Sequence, residues 1–291
     1  MRPFTGTRDK GLKSAEWIGL GGLTLFTLAA VVGYWTFGLH PNLIPDSDFA
    51  RRIYGLSYRW FARLHIVVSA VVLGVYLLRR TGWKWIPAFF GVALVSFLSE
   101  HIGTGYGFPF SGYEYTSLLG PRVGGRVPFL IPISWFLMAL PSWVLANLVF
   151  RGSGKRIPRI ILAAYLLTAW DLALDPAMSF LTPYWVWENP GPFYGMPWVN
   201  LAGWMGTGLV LMVVMEALRI SSWSAGLGAG WMAAYYGLVL LMPVGMLAAA
   251  GIWGPIVAVA GALLLPVVLS FSIQRIRKPV PPVGAMKEQL G

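Results

Sequence analysis

The sequence predicts an all-α fold: a polytopic membrane bundle of about eight transmembrane helices, with an interfacial helix beside it. Three observations carry this. Apolar residues make up 57% of the 291 residues and charged residues only 11%, against about 25% charged in a soluble domain; mean hydropathy is +0.65. Apolar runs near the roughly 20 residues that cross hydrocarbon recur along the chain. Lys and Arg gather in alternate connections between those runs, the asymmetry that orients a membrane protein.

The first run, Trp17 to Gly38, follows Arg8, Lys10 and Lys13 and has the outline of a signal peptide. No small-residue cleavage site follows, so an uncleaved first helix is expected. Asp46 to Trp60 places Phe49, Ile53, Leu56 and Trp60 on one face, with Arg51, Arg52 and Arg59 elsewhere. That is the pattern of a helix lying on the membrane surface. Phe61 to Leu78 and the shorter Trp85 to Ser99 flank the basic turn of Arg79, Arg80 and Lys84. Phe129 to Phe150 and Ile157 to Met178 flank Arg151, Lys155 and Arg156, with Arg159 in the first turn of the second run. Val199 to Leu218, Trp231 to Ala249 and Ile252 to Phe271 complete the set. The last two are separated by so little that seven spans is the alternative. Residues 1–278 read as a single transmembrane domain with a motif-rich core at about 100–204. The basic, Pro-rich tail at 279–291 is expected to be flexible.

A net charge of +11 raises nucleic acid as a partner, and the distribution of that charge removes it. With both termini cytoplasmic in a bacterial inner membrane, most basic residues fall on the inner side. Arg51, Arg52, Arg59, Arg63, Arg122 and Arg126 are left outside, and four of these weaken the assignment. The absence of cysteine excludes disulfides, thiolate metal sites and thiol nucleophiles.

Against this background the eleven acidic residues stand out. Glu100 and Glu114 lie in one aromatic, Gly/Pro-studded stretch at the outer end of the third span. Asp171, Asp175 and Glu188 lie in another at the outer end of the fifth. Carboxylates at membrane depth are costly and mark function. Asp171 and Asp175 are four residues apart and share a helix face. Two carboxylates so close in a low dielectric share a proton more readily than both ionise, which suits a proton donor near neutral pH. Capping by Asp175 ahead of Pro176, or an arginine partner for Asp171, is the bland alternative. Glu100 either ends the third span at the headgroups or, with His101 re-aimed by Gly103-Thr104-Gly105, faces a pocket. His65, alone on an apolar face, reads as an interior histidine, and three histidines at different depths argue against a metal site.

Aromatic residues crowd the same stretches, among them Tyr113, Tyr115, Trp170, Tyr184, Trp185, Trp187, Tyr194, Trp198 and Trp204. An interfacial belt accounts for about half of such rings. The Gly and Pro residues among them suggest a cavity, because irregular backbone at membrane depth is tolerated only against protein or a cavity. Aromatic walls suit an apolar ligand or a developing cation. No phosphate loop and no hydrolase elbow is present.

GTGYGFPFSGYEYTSLLGP, VPFLIPISWFLMALPSW, ALDPAM and PYWVWENPGPFYGMPWVNLAGW resemble the corresponding segments of the CruF-type membrane carotenoid hydratases, the carotenoid biosynthesis protein family. The resemblance covers roughly Glu100 to Trp204. It implies addition of water to the terminal 1,2 double bond of an acyclic ψ-end carotenoid such as γ-carotene, lycopene or bisanhydrobacterioruberin, giving a tertiary alcohol. It implies no organic cofactor, a substrate taken from membrane lipid, and other carotenoid biosynthesis enzymes as partners. The resemblance does not allocate roles; for this chemistry the residues themselves make Asp171 or Asp175 the expected acid, and Glu100 with His101 the expected holder of water and acceptor of its proton. Tyr113, Glu114, Tyr115, Trp170, Tyr184, Trp185, Trp187, Tyr194, Trp198 and Asn200 are the expected substrate contacts. The basic composition is unlike that of a halophilic archaeal protein, which favours γ-carotene or lycopene. A transporter, and a pigment-binding protein without chemistry, are the competing classes.

Overall fold

A computed structural model describes residues 6–150 and 152–276; the tail at 279–291 lies outside the described residues. The protein is an all-α polytopic membrane bundle. Among the described residues seven helices are long and apolar enough to cross a membrane. They are α1 (Gly6–Gly33), α2 (Asp48–Thr81), α3 (Ile86–Tyr106), α4 (Leu130–Val149), α5 (Arg156–Asp175), α6 (Trp198–Ala217) and, after the short α7 (Ser221–Ser224), α8 (Ala229–Ala249). The eighth expected span is α9 (Trp253–Ile276), whose apolar part, Trp253–Val268, is shorter.

The expected surface helix at Asp46 to Trp60 is not separate. It forms the first turns of α2, capped by Ser47, whose hydroxyl accepts from the Ala50 amide. Nothing between Trp60 and Phe61 breaks a helix, so 34 residues run on for about 51 Å. That exceeds the roughly 30 Å of hydrocarbon.

Helix α4 is the axis of the bundle. It carries no charge, is apolar all round, and buries residues on every face, including Trp135, Met138, Leu140 and Trp143. Helices α2, α3, α5 and α8 pack around it. Lipid cannot drive helices together, so close backbone approach matters; Gly208 of α6 meets Ala164 of α5, where an added Cβ would sit 3.3 Å from its neighbour. The outward faces carry Leu25, Val71, Phe90, Leu94 and Val213, all exposed as lipid-facing residues must be.

Two ion-pair clusters close one end of the bundle. Glu16 of α1 accepts two hydrogen bonds from Arg80 of α2, both 2.7 Å. Glu216 of α6 pairs with Arg159 at 2.9 Å and Arg156 at 3.2 Å, both from the start of α5. Two loops cap the other end. They meet in a small antiparallel ladder of β1 (Tyr113–Tyr115) and β4 (Trp185–Trp187); a second hairpin pairs β2 (Arg122–Val123) with β3 (Val127–Pro128). Arg63 of α2 pins the first loop by donating to the carbonyls of Leu118 (2.7 Å) and Ser117 (2.8 Å).

Candidate active site

The capped end encloses a cavity of about 90 Å³, several times what one water needs. It lies among the C-terminal turns of α3 and α5, the N-terminal turns of α4 and α6, and α2 and α8.

Strand alternation decides which loop residues reach it. Tyr113 pairs with Trp187, Glu114 with Val186, and Tyr115 with Trp185. Successive side chains on a strand point to opposite faces, so Tyr113, Tyr115, Trp185 and Trp187 line the cavity while Glu114 and Val186 are exposed outside.

Glu100, on the penultimate turns of α3, is buried and enters the same space. Its Oε2 accepts from the Tyr113 and Tyr115 hydroxyls, the latter at 2.7 Å, and its Oε1 from the Trp135 indole at 2.9 Å. Burial, and then the adjacent Glu100 charge, push both phenols well above the ordinary tyrosine range, so they remain donors. Burial likewise raises Tyr184.

Asp171 and Asp175, one turn apart on α5, are both fully buried. One amide bridges them: Asn200 of α6 donates from Nδ2 to Asp171 Oδ2 at 2.8 Å and to Asp175 Oδ2 at 3.1 Å. Asp175 also accepts from the Ser179 hydroxyl at 2.6 Å and the Trp187 indole at 3.1 Å. Ser179 is brought back by the wider turn Pro176–Leu181 that follows α5. Asp175 lines the cavity; Asp171 lies behind it, with Oδ1 buried and without a partner among the described residues. Glu100, Asp171 and Asp175 form no ion pair among the described residues, whereas buried Glu16 does.

Aromatic rings complete the wall. Trp135 stacks on Trp204 at 4.0 Å and 17°, Trp170 meets Trp204 edge-on, and Phe110 lies between Tyr113 and Trp135. Phe110 is wedged between two helices at glycines. A Cβ on Gly103 would come within 2.8 Å of its ring, and one on Gly203 within 2.7 Å.

The structure therefore brings together Glu100, Asp175, Tyr113, Tyr115, Trp170, Tyr184, Trp185, Trp187 and Asn200, with Asp171 immediately behind. It places four other expected residues elsewhere. His101 follows Glu100 by about 100° around the helix and stacks on Phe97. Glu114 sits on the outward strand face. Tyr194, in a tight turn with φ +52°, packs on Phe180 and Phe193. Trp198 is 56% exposed. Trp135, Phe110 and Trp204 enter the wall without having been among the expected contacts, although all three stand in the aromatic motifs. His65 and Ser69 of α2 also line the cavity.

Residues 61–268 match the carotenoid biosynthesis protein family, a wider stretch than the motifs alone cover. Over 179 residues the chain is 33% identical to a bisanhydrobacterioruberin hydratase of Haloarcula japonica, which is 60% of this chain and 57% of that protein. The match thus spans little more than half of the relative's length. No solved structure matches the chain. With most of the chain matched, from the middle of α2 into α9, the protein belongs to the carotenoid biosynthesis protein family.

Proposed function

We propose that this protein hydrates the terminal 1,2 double bond of a ψ-end carotenoid, of the γ-carotene or lycopene type. The observation that carries the reading is the pair Asp171–Asp175, bridged by Asn200 and opening through Asp175 onto an aromatic cavity within a membrane bundle. The family supports a carotenoid substrate, and the hydratase relative supports carotenoid hydration.

Hydration of a trisubstituted alkene begins with a proton on C2, which leaves a tertiary cation at C1. Asp175 gives that proton, a reading supported by its facing the cavity while Asp171 lies behind it. Asp171 holds the second carboxyl, so that one proton serves the pair and the donor is replenished from behind. Trp135, Trp204, Tyr113 and Trp187 line the cavity, and aromatic rings stabilise a nearby cation through their quadrupoles; Glu100, caged by three donors, supplies a fixed counter-charge. Water then adds at C1 to give the tertiary alcohol.

The bundle is oriented with both termini in the cytoplasm of a bacterial inner membrane, so the cavity lies toward the outer leaflet. The apolar end of the substrate enters from lipid.

Expression in a host that accumulates lycopene or γ-carotene tests the activity. A more polar pigment heavier by one water is expected; an unchanged pigment profile with folded protein in the membrane sinks the proposal.

A further inference from the structure

We propose that His65, with Ser69 one turn further along α2, forms the site that holds the attacking water, and that His65 Nδ1 takes its proton. This rests on the hydration reading above.

The tautomer follows from hydrogen-bond arithmetic. The Thr27 hydroxyl has one proton, and it donates that proton to the Leu23 carbonyl at 2.8 Å. The same oxygen lies 3.2 Å from His65 Nε2, so it acts there as acceptor and Nε2 carries the hydrogen. Nδ1 is then the bare lone pair. His65 is buried against the protein yet lines the cavity. The one hydrogen bond of the His65 ring among the described residues is that of Nε2 with Thr27. Ser69 lies at i+4 on the same face, lines the same cavity and is 1% exposed; its hydroxyl has no hydrogen-bond partner among the described residues, and the Tyr235 hydroxyl, which donates to the Ser69 carbonyl at 3.0 Å, is its polar neighbour. A buried hydroxyl without a partner is unfavourable, and a water between Ser69 Oγ and His65 Nδ1 satisfies both.

The carboxylates on the wall each already accept three hydrogen bonds. Glu100 accepts from three donors, and Asp175 from Ser179, Trp187 and Asn200. His65 is the remaining unprotonated nitrogen. Helices α2 and α5 both flank the cavity, so the base and the Asp175 acid approach the substrate from different walls.

The step balances without an oxidant or reductant. The Asp175 O–H bond breaks as the C2–H bond forms, and the π pair leaves C1 electron-deficient. The water oxygen bonds to C1. The resulting protonated alcohol is a strong acid and gives one proton to Nδ1 even of a buried imidazole. That proton returns through cavity water to the Asp175 carboxylate.

Purified protein incubated with lycopene in D₂O separates capture from protonation. In His65→Gln the cation still forms but is not captured, so it reverts by losing a proton. Hydrated product is expected to fall about 100-fold, while recovered lycopene acquires deuterium at C2. Wild-type hydration rates in His65→Gln overturn the proposal. So does parallel loss of hydration and exchange in a folded variant, which makes His65 a structural or acid-side residue. A wild-type enzyme that neither hydrates nor exchanges fails the hydration reading itself. If His65→Gln does not fold, Thr27→Val releases the tautomer and keeps the ring; about a 10-fold loss of hydration with exchange retained is expected, and no loss overturns the proposal.

Discussion

Tyr113 stands directly opposite Trp187 in a two-stranded ladder, their rings 5.1 Å apart, and each donates a hydrogen bond to a different buried carboxylate. One strand pair thereby aims at Glu100 and Asp175 together. The two capping loops are a single scaffold for both acids.

Alternation along that ladder makes a sharp prediction. Tyr113→Phe and Tyr115→Phe each remove one donor from Glu100. A hydrogen bond to a charged group is worth about 1.5–3 kcal/mol, so hydration should slow roughly 10- to 100-fold. Val186→Thr and Glu114→Gln, on the outward face, should leave the rate within about twofold of wild type. Product formation measured side by side decides it; equal losses on both faces would mean that the ladder does not aim these residues.

Raised phenol pKa values set the alkaline limit. Tyr113 and Tyr115 keep their protons in the folded state above the pH at which an unfolded tyrosine, near pKa 10, loses its own. Their protonated form is thus favoured in the fold, with full effect below about pH 10 and progressive loss as pH rises above it. Thermal midpoints in detergent should be insensitive to these tyrosines up to about pH 9 and fall beyond about pH 10. The fall should be smaller in the double Phe variant, and an equal fall in both proteins would contradict this.

Asn200 bridges the aspartates, so the two carboxylates and the amide should behave as a unit. Asp175→Asn should reduce hydration by about 10²- to 10⁴-fold. Asp171→Asn, which does not itself line the cavity, should cost less. Asn200→Ala should leave Asp171 without its hydrogen bond and lower both activity and melting temperature, by about 1–3 kcal/mol of stability. Kinetics and melting curves on the three variants check the order, and a larger loss in Asp171→Asn than in Asp175→Asn would exchange the two roles.

Phe110 depends on two missing side chains. Gly203→Val should force a methyl-bearing carbon against Phe110 and the Pro109 carbonyl, 2.6 Å away, and destabilise by about 1–3 kcal/mol. Gly206→Ala on the same helix meets nothing within 4 Å and should be neutral or slightly stabilising. Melting temperature and retained pigment are the readouts; a neutral Gly203→Val would remove the wedge from the account.

Composition and the lengths of apolar runs determined the membrane bundle, because a charge-poor chain with runs of about 20 residues has few other ways to satisfy its backbone. Spacing paired Asp171 with Asp175, since four residues is one helical turn wherever the helix lies. The alternation in Tyr113-Glu114-Tyr115 was equally present in the sequence, but it acquires meaning only from the strand at Trp185–Trp187 that it pairs with. Tertiary structure alone decided that Glu114 faces out, that His101 turns away while its neighbour Glu100 enters the cavity, and that Asn200 joins the aspartates. It alone brought His65 and Ser69 from α2, and Trp135 from α4, to the same space. The reason is physical: a hydrogen bond or a stacked ring depends on separations of a few ångströms between distant parts of the chain. Helix period and hydropathy fix only what is local.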